Sequence, residues 1–347
     1  MRYIFTTCAL NYYPNARLLA ASAKAHLGNV KTVLMLADTY PVDFDFGDSH
    51  FDEVWSISEL EQDLPNHMAW VFGHSVMELS TAIKGFVLKK LLERKDCEAA
   101  LFFDPDCEIH SDLTVVLDKL HTKDIVLTPH CCLPHTQDDW VKFELNQHRV
   151  GAFNLGFLGV RNSAEGKKFA DWWWHRLQRH CVIDAKRHLF TDQKWIDLAP
   201  SYFDHVGVIR RPTLNLARWN TFQREITRNA SGAIFVDGLP LDFVHYSGFM
   251  KVGSQNLGMY DVASEPWIKG KDVLDQMSRN YAERLLEYQQ KPACQSDWTL
   301  GRYRSGQKIS DPQRRVYKMT PALSAQFPQP FEGGEAFLAA LVARMTG

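Results

Sequence analysis

The sequence predicts an α/β fold built on a doubly wound, mostly parallel sheet with helices on both faces. Two observations lead to this prediction. Short runs of apolar and β-branched residues alternate with helix-compatible segments from the first residues onward, and this alternation is typical of parallel sheets with crossover helices. The run at 99–103 is continuously apolar, as in strands buried on both faces. Sheets of this kind bind ligands beyond the carboxyl ends of their strands.

Each element has its own pattern. The helix predicted for 76–94 places apolar residues at 76, 79, 83, 86, 87 and 91, the spacing of one helical face. The other predicted helices are 15–26, 164–179, 272–290 and 337–344, and the predicted strands are 3–7, 31–36, 52–56, 99–103, 124–128 and 153–160. We place a domain boundary near residue 251, between an α/β domain at 1–251 and a mainly helical extension at 252–347.

Composition excludes several classes of function. The chain has 39 Lys and Arg against 41 Asp and Glu, a formal net charge of −2, so it lacks the basic surface expected for a nucleic-acid partner. Its seven cysteines form neither a disulfide framework nor a zinc spacing, and we expect a cytoplasmic location. No apolar run reaches the roughly 18 residues of a transmembrane helix. The segment 337–344 leaves a peripheral contact with the inner face of the membrane open, although packing on the domain is favoured.

An acidic pair directly follows the most apolar strand. In an extended backbone, residues i and i+2 point to the same side, so Asp104 and Asp106 can present two carboxylates to one cation. Pro105 between them lacks an N–H and suits a strand terminus. Carboxylate oxygens favour Mg²⁺ or Mn²⁺, and such ions commonly also hold substrate phosphates. The alternative is a turn capped by two acids.

A second polar segment follows the apolar run 241–244. It contains His245, Gly248 and Lys251 at three-residue spacing. A neutral imidazole can complete a metal site, a glycine permits close backbone approach to phosphate, and a lysine supplies a compact positive charge.

The order of these motifs resembles that of the glycogenin-like family of retaining glycosyltransferases, which have a GT-A fold and a manganese-dependent nucleotide-sugar site. In that family, a strand ending in Asp-x-Asp binds the metal, and a later His-x-x-Gly-x-x-Lys supplies the third ligand and a phosphate contact. The resemblance implies that Asp104, Asp106 and His245 bind Mn²⁺ or Mg²⁺. It also implies that Gly248 and Lys251 contact the donor diphosphate.

Three further segments extend the resemblance. Ser-Thr-Ala-Ile-Lys84 is similar to the segment that sends a lysine toward the donor phosphates and sugar. Phe-Asn154-Leu-Gly is similar to the family's Phe-Asn-Ser-Gly, whose asparagine contacts the donor sugar, although Leu155 replaces the serine. Asp192-Gln is similar to the pair whose aspartate lies beside the reacting sugar.

The resemblance also assigns the base end of the donor. Ala9, Asn11 and Tyr12 follow the first strand, where the family binds the base, so that Tyr12 is expected to stack on the base and Asn11 to contact it. One departure concerns the phosphate loop, because Val252 and Gly253 follow the last lysine where the family often has Pro-Trp.

The sequence thus suggests a hexosyltransferase that uses a UDP-sugar and retains anomeric configuration. The run 78–249, including 215–220, resembles bacterial glycosyltransferases of surface polysaccharide type, whose acceptor could be a glycan, a lipid-linked sugar or a protein. Two alternatives stay open at this point: a nucleotide-sugar-binding module without transfer activity, and a nucleotidyltransferase. The second is disfavoured because the N-terminal region has no glycine-rich phosphate loop.

Overall fold

The computed structural model describes residues 1–40, 44–47, 50–134, 140–247, 268–288, 294 and 297–346. Its strands are β1 (Arg2–Cys8), β2 (Val30–Leu36), β3 (Glu53–Trp55), β4 (Ala99–Phe103), β5 (Cys107–Ile109), β6 (Ile125–Pro129), β7 (Phe153–Arg161), β8 (Ile183–Asp184), β9 (Leu189–Phe190), β10 (Val206–Val208), β11 (Ile226–Arg228), β12 (Ile234–Val236), β13 (Leu239–Pro240) and β14 (Phe243–His245). Its helices are α1 (Tyr13–His26), α2 (His67–Phe72), α3 (Val76–Leu92), α4 (Thr114–Thr122), α5 (Val141–Val150), α6 (Ala164–His180), α7 (Gln193–Ile196), α8 (Ala199–Tyr202), α9 (Lys271–Tyr288), α10 (Asp311–Met319), α11 (Pro321–Gln326) and α12 (Glu335–Thr346). Short 3₁₀ helices include Leu10–Tyr12 and Thr299–Gly301.

A seven-stranded sheet forms the centre, in the order β10-β6-β7-β4-β1-β2-β3. The pairs β4–β1, β1–β2, β2–β3 and β10–β6 are parallel, whereas β7 runs antiparallel to both of its neighbours. Every residue of β4 is buried, because hydrophobic clusters cover both faces of the sheet. The predicted α/β class with a mostly parallel sheet is therefore confirmed.

Helix α3 carries Lys84 to the carboxyl end of the sheet. It begins after Ser75, whose hydroxyl accepts from the amide of Glu78 at 3.3 Å, while the Glu78 carboxylate accepts from the amide of Ser75 at 3.1 Å. This reciprocal capping fixes the first turn. Further along, a Cβ on Gly85 would lie 3.0 Å from Cα of Trp174, so the glycine permits close contact between α3 and α6.

The last part of the extension, from α10 to α12, packs on α2 through an aromatic cluster around Phe72, whereas α9 packs on α1 and β14. The Phe72 ring lies 4.9 Å from the ring of Tyr317, 5.1 Å from that of Phe331 and 5.7 Å from that of Phe337. Phe337 and Leu341 of α12 are buried, as the packing alternative for this segment predicts.

The predicted boundary near residue 251 lies outside the described residues. Within the described part of the chain, no helix is both long and apolar enough to cross a membrane.

Phe337→Ala should destabilise the whole protein, because it removes a buried ring from the cluster that joins α12 to α2. We expect a loss of about 3–5 kcal/mol in the free energy of unfolding, measured by urea denaturation as a single transition. The control is Met345→Ala on the same helix, where the side chain is 44% exposed and a change within about 0.5 kcal/mol is expected. Separate, earlier melting of the extension would contradict this view of the packing.

Candidate active site

The acidic pair lies where β4 ends and the chain turns into β5. The amide of Asp104 donates to the carbonyl of Gly156 at 3.0 Å, which ties the turn to β7. Strand β5 pairs antiparallel with β14, so that Cys107 lies opposite His245. The amide of Tyr246 donates to the carbonyl of Asp106 at 2.8 Å. Two segments about 140 residues apart in the sequence are thereby held side by side by backbone hydrogen bonds.

This pairing brings the imidazole of His245 close to both acids, while the compact group of possible metal ligands is Asp106, Cys107 and His245. Nε2 of His245 is 3.2 Å from Oδ1 of Asp106 and 3.7 Å from Oδ2 of Asp104. Burial raises the pKa of Asp104, although Lys84 and His245 oppose the shift. Burial alone would also raise the pKa of Asp106, but the adjacent His245 outweighs it and lowers the pKa. The pKa of His245 is raised, because Asp106 and Asp104 outweigh the opposite effect of burial.

A network of amides orients the His245 ring. Its Nδ1 lies 3.2 Å from Oδ1 of Asn154 and 3.3 Å from Oδ1 of Asn215. Asn154 Oδ1 also accepts from the amide of Gly156 at 2.9 Å and from Nδ2 of Asn215 at 2.9 Å, which fixes it as an acceptor. Nδ1 therefore carries a proton, and in the neutral ring the lone pair lies on Nε2, toward the two carboxylates.

The donor set fits a hard divalent cation. Two carboxylates and one imidazole nitrogen match the ligands that Mn²⁺ and Mg²⁺ use, with room left for phosphate oxygens. The thiol of Cys107 lies close to Asp106 and His245 as well. Burial, reinforced by Asp106 and Asp104, raises the pKa of the Cys107 thiol well above its usual value. Cys107 is thus a neutral neighbour of the site.

Lys84 brings a buried positive charge to the same point. Its Nζ lies 2.9 Å from Oδ1 of Asp104 and 3.0 Å from Oδ2 of Asp192, and the residue is only 3% exposed. The ammonium also lies 4.2 Å from the centroid of the Phe102 ring. Burial alone would lower the pKa of Lys84, but Asp104 and Asp192 outweigh burial and raise it. The side chain remains charged at neutral pH.

Asp192 follows the short β8–β9 hairpin, and the backbone before it is strained. Thr191 has a φ of 47°, in the left-handed region that β-branched residues rarely adopt. Its hydroxyl donates to Oδ1 of Asp192 at 3.0 Å, which leaves Oδ2 for Lys84. The strained turn therefore aims the carboxylate at the lysine.

Several residues of this network were not predicted from the sequence. Gln193 Oε1 accepts from the amide of Leu155 at 2.9 Å, and Asn154 Nδ2 lies 3.2 Å from Nε2 of His130. Burial lowers the pKa of His130 to about 4, so its ring is neutral. Asn215 adopts a φ of 53°, which asparagine tolerates better than most residues. In the sequence, Asn215 was indicated only by its place in the run 215–220, which is part of the resemblance to bacterial glycosyltransferases.

The site opens into a cleft of about 310 Å³, which we name the site cleft. Its lining includes the predicted residues Ala9, Asn11, Tyr12, Lys84, Asp104, Asp106 and His245. Tyr12 is 40% exposed, and burial of its hydroxyl together with Asp106 and Asp104 raises the pKa of that group to about 12. Asn154 and Asp192 lie behind Lys84 and His245, whereas Gly248 and Lys251 fall outside the described residues.

Asp38 fixes the 3₁₀ turn Leu10–Tyr12 beside the site cleft, and the sequence did not predict this role. Its Oδ2 accepts from the amide of Leu10 at 3.0 Å, and its Oδ1 accepts from the hydroxyl of Thr299 in the extension. Nε1 of Trp298 donates to the carbonyl of Ala37 at 2.8 Å. The turn before Tyr12 is thus fixed partly by residues from the far end of the chain.

No family model matches the chain. In sequence it is similar to two uncharacterised proteins of Bacillus subtilis strain 168. YfnD is 27% identical over 190 residues, which cover 53% of this chain and 58% of YfnD. YfnF is 23% identical over 165 residues, which cover 47% of this chain and 54% of YfnF. The chain spans little more than half the length of these relatives.

Among solved structures, the chain is similar to the galactosyltransferase LgtC in complex with donor and acceptor sugar analogues. That alignment has 14% identity and a TM-score of 0.44, over 83% of this chain and 96% of that chain. Mouse xyloside xylosyltransferase 1 in its apo form aligns with 11% identity and a TM-score of 0.43, over 70% and 96%. Similarity at this level assigns neither a class of protein, nor a substrate, nor a role to any residue.

Gly156→Ala should disrupt the candidate metal site, because the added Cβ would lie 2.3 Å from Nδ1 of His245 and 2.7 Å from Oδ1 of Asn154. We expect the displaced imidazole to weaken Mn²⁺ binding by about 10–100-fold, measured by calorimetric titration.

The matched control is Gly159→Ala on the same strand, where the Cβ would meet its neighbours at 3.4 Å or more. This variant should bind Mn²⁺ like the wild type. Equal Mn²⁺ affinity in both folded variants would show that His245 is not a ligand.

Proposed function

We propose that the protein is a metal-dependent glycosyltransferase of the GT-A type, which transfers a hexosyl group from a nucleotide-diphosphate sugar. A UDP-sugar is the favoured donor. One observation carries the proposal: two carboxylates, an imidazole and a buried ammonium meet in a single cleft at the carboxyl end of the sheet. A diphosphate leaving group develops negative charge, and preorganised cations at that point are the largest stabilisation available to such a transfer.

Asp104, Asp106 and His245 are the proposed ligands of Mn²⁺ or Mg²⁺. The backbone pairing of β5 with β14 sets their spacing, and the Asn154–Asn215 pair fixes the tautomer of the ring. When bound, the cation acts as a Lewis acid on the donor diphosphate. From the sequence alone, we assign Gly248 and Lys251 to the same diphosphate.

Lys84 supplies a second positive charge for the leaving group. It is held between Asp104 and Asp192 before any donor enters, so little reorganisation is needed when charge develops. An anionic phosphate oxygen near Nζ would share the ammonium with these carboxylates. This arrangement favours a role in transfer as well as in binding.

Asn154 and Asp192 are the proposed contacts of the donor sugar. Asp192 lies 3.0 Å from the Lys84 ammonium, whose other partner is Asp104, and its assignment to the donor sugar rests on the family resemblance. A carboxylate there can orient the sugar and stabilise positive charge at its anomeric carbon. Retention of configuration follows from the family resemblance, and NMR of the product anomer would test it.

The base is proposed to lie on the wall of the site cleft that Ala9, Asn11 and Tyr12 form. Tyr12 is 40% exposed there and offers an aromatic face for stacking. Asn11 offers hydrogen bonds to the base edge, and Ala9 lies beside them on the wall. The acceptor is a glycan, a lipid-linked sugar or a protein, and we favour bacterial surface polysaccharide synthesis at the inner face of the membrane.

Asp106→Asn should abolish Mn²⁺-dependent turnover, because a neutral amide binds the cation more weakly and removes the nearer of the two carboxylates beside His245. We expect donor hydrolysis to fall by at least about 10³-fold, as several kcal/mol of charge stabilisation are lost. The measurement is the release of UDP from a panel of UDP-sugars, with and without Mn²⁺.

Asp118→Asn, which replaces an exposed acid on α4, is the control and should leave turnover unchanged. Full metal-independent hydrolysis by Asp106→Asn would disprove the metal assignment. UDP-sugar binding without hydrolysis or transfer in the wild type would instead identify a binding module.

A further inference from the structure

A second groove, of about 470 Å³, lies beside the site cleft. We name it the extension groove. One wall is the first turn of α3 with Val76 and Met77, the next is Ile183 of β8, and the third is formed by the extension with Trp298, Arg302 and Lys308. The groove exists only because the extension packs against the start of α3.

The lining exposes apolar side chains that ordinarily would be buried. Met77 is 55% exposed, Ile183 is 42% exposed and Val76 is 38% exposed. The half-buried indole of Trp298 lies next to them, held by its hydrogen bond to the carbonyl of Ala37 and by the Arg314 guanidinium, 4.8 Å from the ring centroid. Clustered apolar and aromatic surface of this kind marks a binding site more often than a plain surface.

Charges of both signs surround the apolar lining. Asp297 pairs with Arg302 at 2.7 Å, and their side chains are 79% and 48% exposed. Lys308 and Asp311 add one further charge of each sign, and the fifth charged residue of the lining, Arg314, is buried and donates to backbone carbonyls. The carboxylates of Asp297 and Asp311 would repel a polyanion. Hydroxyl groups can accept hydrogen bonds from the cations and donate them to the carboxylates. This balance fits a neutral, hydroxyl-rich ligand.

The walls are connected to one another by hydrogen bonds. The amide of Ile183 donates to Oε1 of Glu78 on α3 at 3.2 Å, and its carbonyl accepts from Arg315 of α10 at 2.8 Å. Arg314 donates to the carbonyl of Phe72 at 3.0 Å and to that of Leu300 at 2.6 Å. The extension groove is therefore formed before a ligand binds, which lowers the entropic cost of binding.

The extension groove shares a wall with the site cleft. Val76 and Met77 line both cavities. Ile183 lies on the hairpin that leads to Asp192. Met77 and Lys84 are seven residues apart on α3, or about 10 Å along the helix axis. A ligand in the groove that also reaches the reacting centre must span that distance.

We propose that the extension groove binds the distal sugar units of a neutral oligosaccharide acceptor. This inference rests on the proposed glycosyltransferase function and names its acceptor class. The apolar faces of the sugar rings lie on Met77, Ile183 and Trp298, and their hydroxyls bond to Arg302 and Lys308. Because of the span to Lys84, the acceptor is longer than a monosaccharide.

Ile183→Glu tests the proposal, because it places a charge in the apolar lining without touching a residue assigned to the donor. The control is Leu286→Glu on α9, whose side chain has the same 42% exposure. Each protein is applied to an immobilised array of neutral oligosaccharides, which requires no donor. Release of UDP from UDP-sugars is measured in parallel.

We expect Ile183→Glu to weaken binding to the oligosaccharides that the wild type retains, and to raise their KM as acceptors, by at least about tenfold. Donor hydrolysis should be unchanged, and Leu286→Glu should behave as the wild type. Unchanged oligosaccharide binding by Ile183→Glu, or wild-type protein that retains none of the array while hydrolysing UDP-sugars, would overturn the proposal. Retention of only acidic glycans, lipids or peptides would overturn it too. Absence of donor binding and hydrolysis would instead count against the proposed function.

Discussion

The ammonium of Lys84 lies between the carboxylates of Asp104 and Asp192, and three separate parts of the chain meet there. Strand β4 supplies Asp104, α3 supplies Lys84 and the β8–β9 hairpin leads to Asp192. A charge this deeply buried requires partners, and the two carboxylates supply them. The same ion pairs therefore stabilise the carboxyl end of the sheet and fix the charges of the candidate site.

Around this centre, neutral hydrogen bonds set the direction of each charged group. Asn154 and Asn215 determine which nitrogen of His245 faces the acids, and the strained Thr191 aims Asp192 at Lys84. These side chains are buried, so their hydrogen bonds are costly to leave unmade. A polar network of this kind favours one arrangement over its alternatives, as a preorganised site requires.

The sequence was most informative where function depends on short-range patterns. Asp104 and Asp106 were found because an apolar strand precedes them, and Lys84 because Ser-Thr-Ala-Ile-Lys84 resembles a segment of a known family. Asn215 and Gln193 were missed because their bonds to Asn154 and Leu155 span 61 and 38 residues. A single sequence does not show which distant amides meet. The strand pairing of β5 with β14, which brings His245 to Asp106, is likewise visible only in the fold.

The contact of Thr299 with Asp38 bears on how this protein could be engineered. Trp298 donates to the carbonyl of Ala37, directly after β2, and Thr299 donates to the carboxylate of Asp38. The other oxygen of Asp38 accepts from the amide of Leu10. A chimera that exchanged the whole extension for that of another enzyme would leave the buried Asp38 carboxylate without its hydroxyl partner. An exchange that begins after Gly301 would keep this short 3₁₀ turn with Asp38, and the new helices would still need to supply the ring contacts of Phe72.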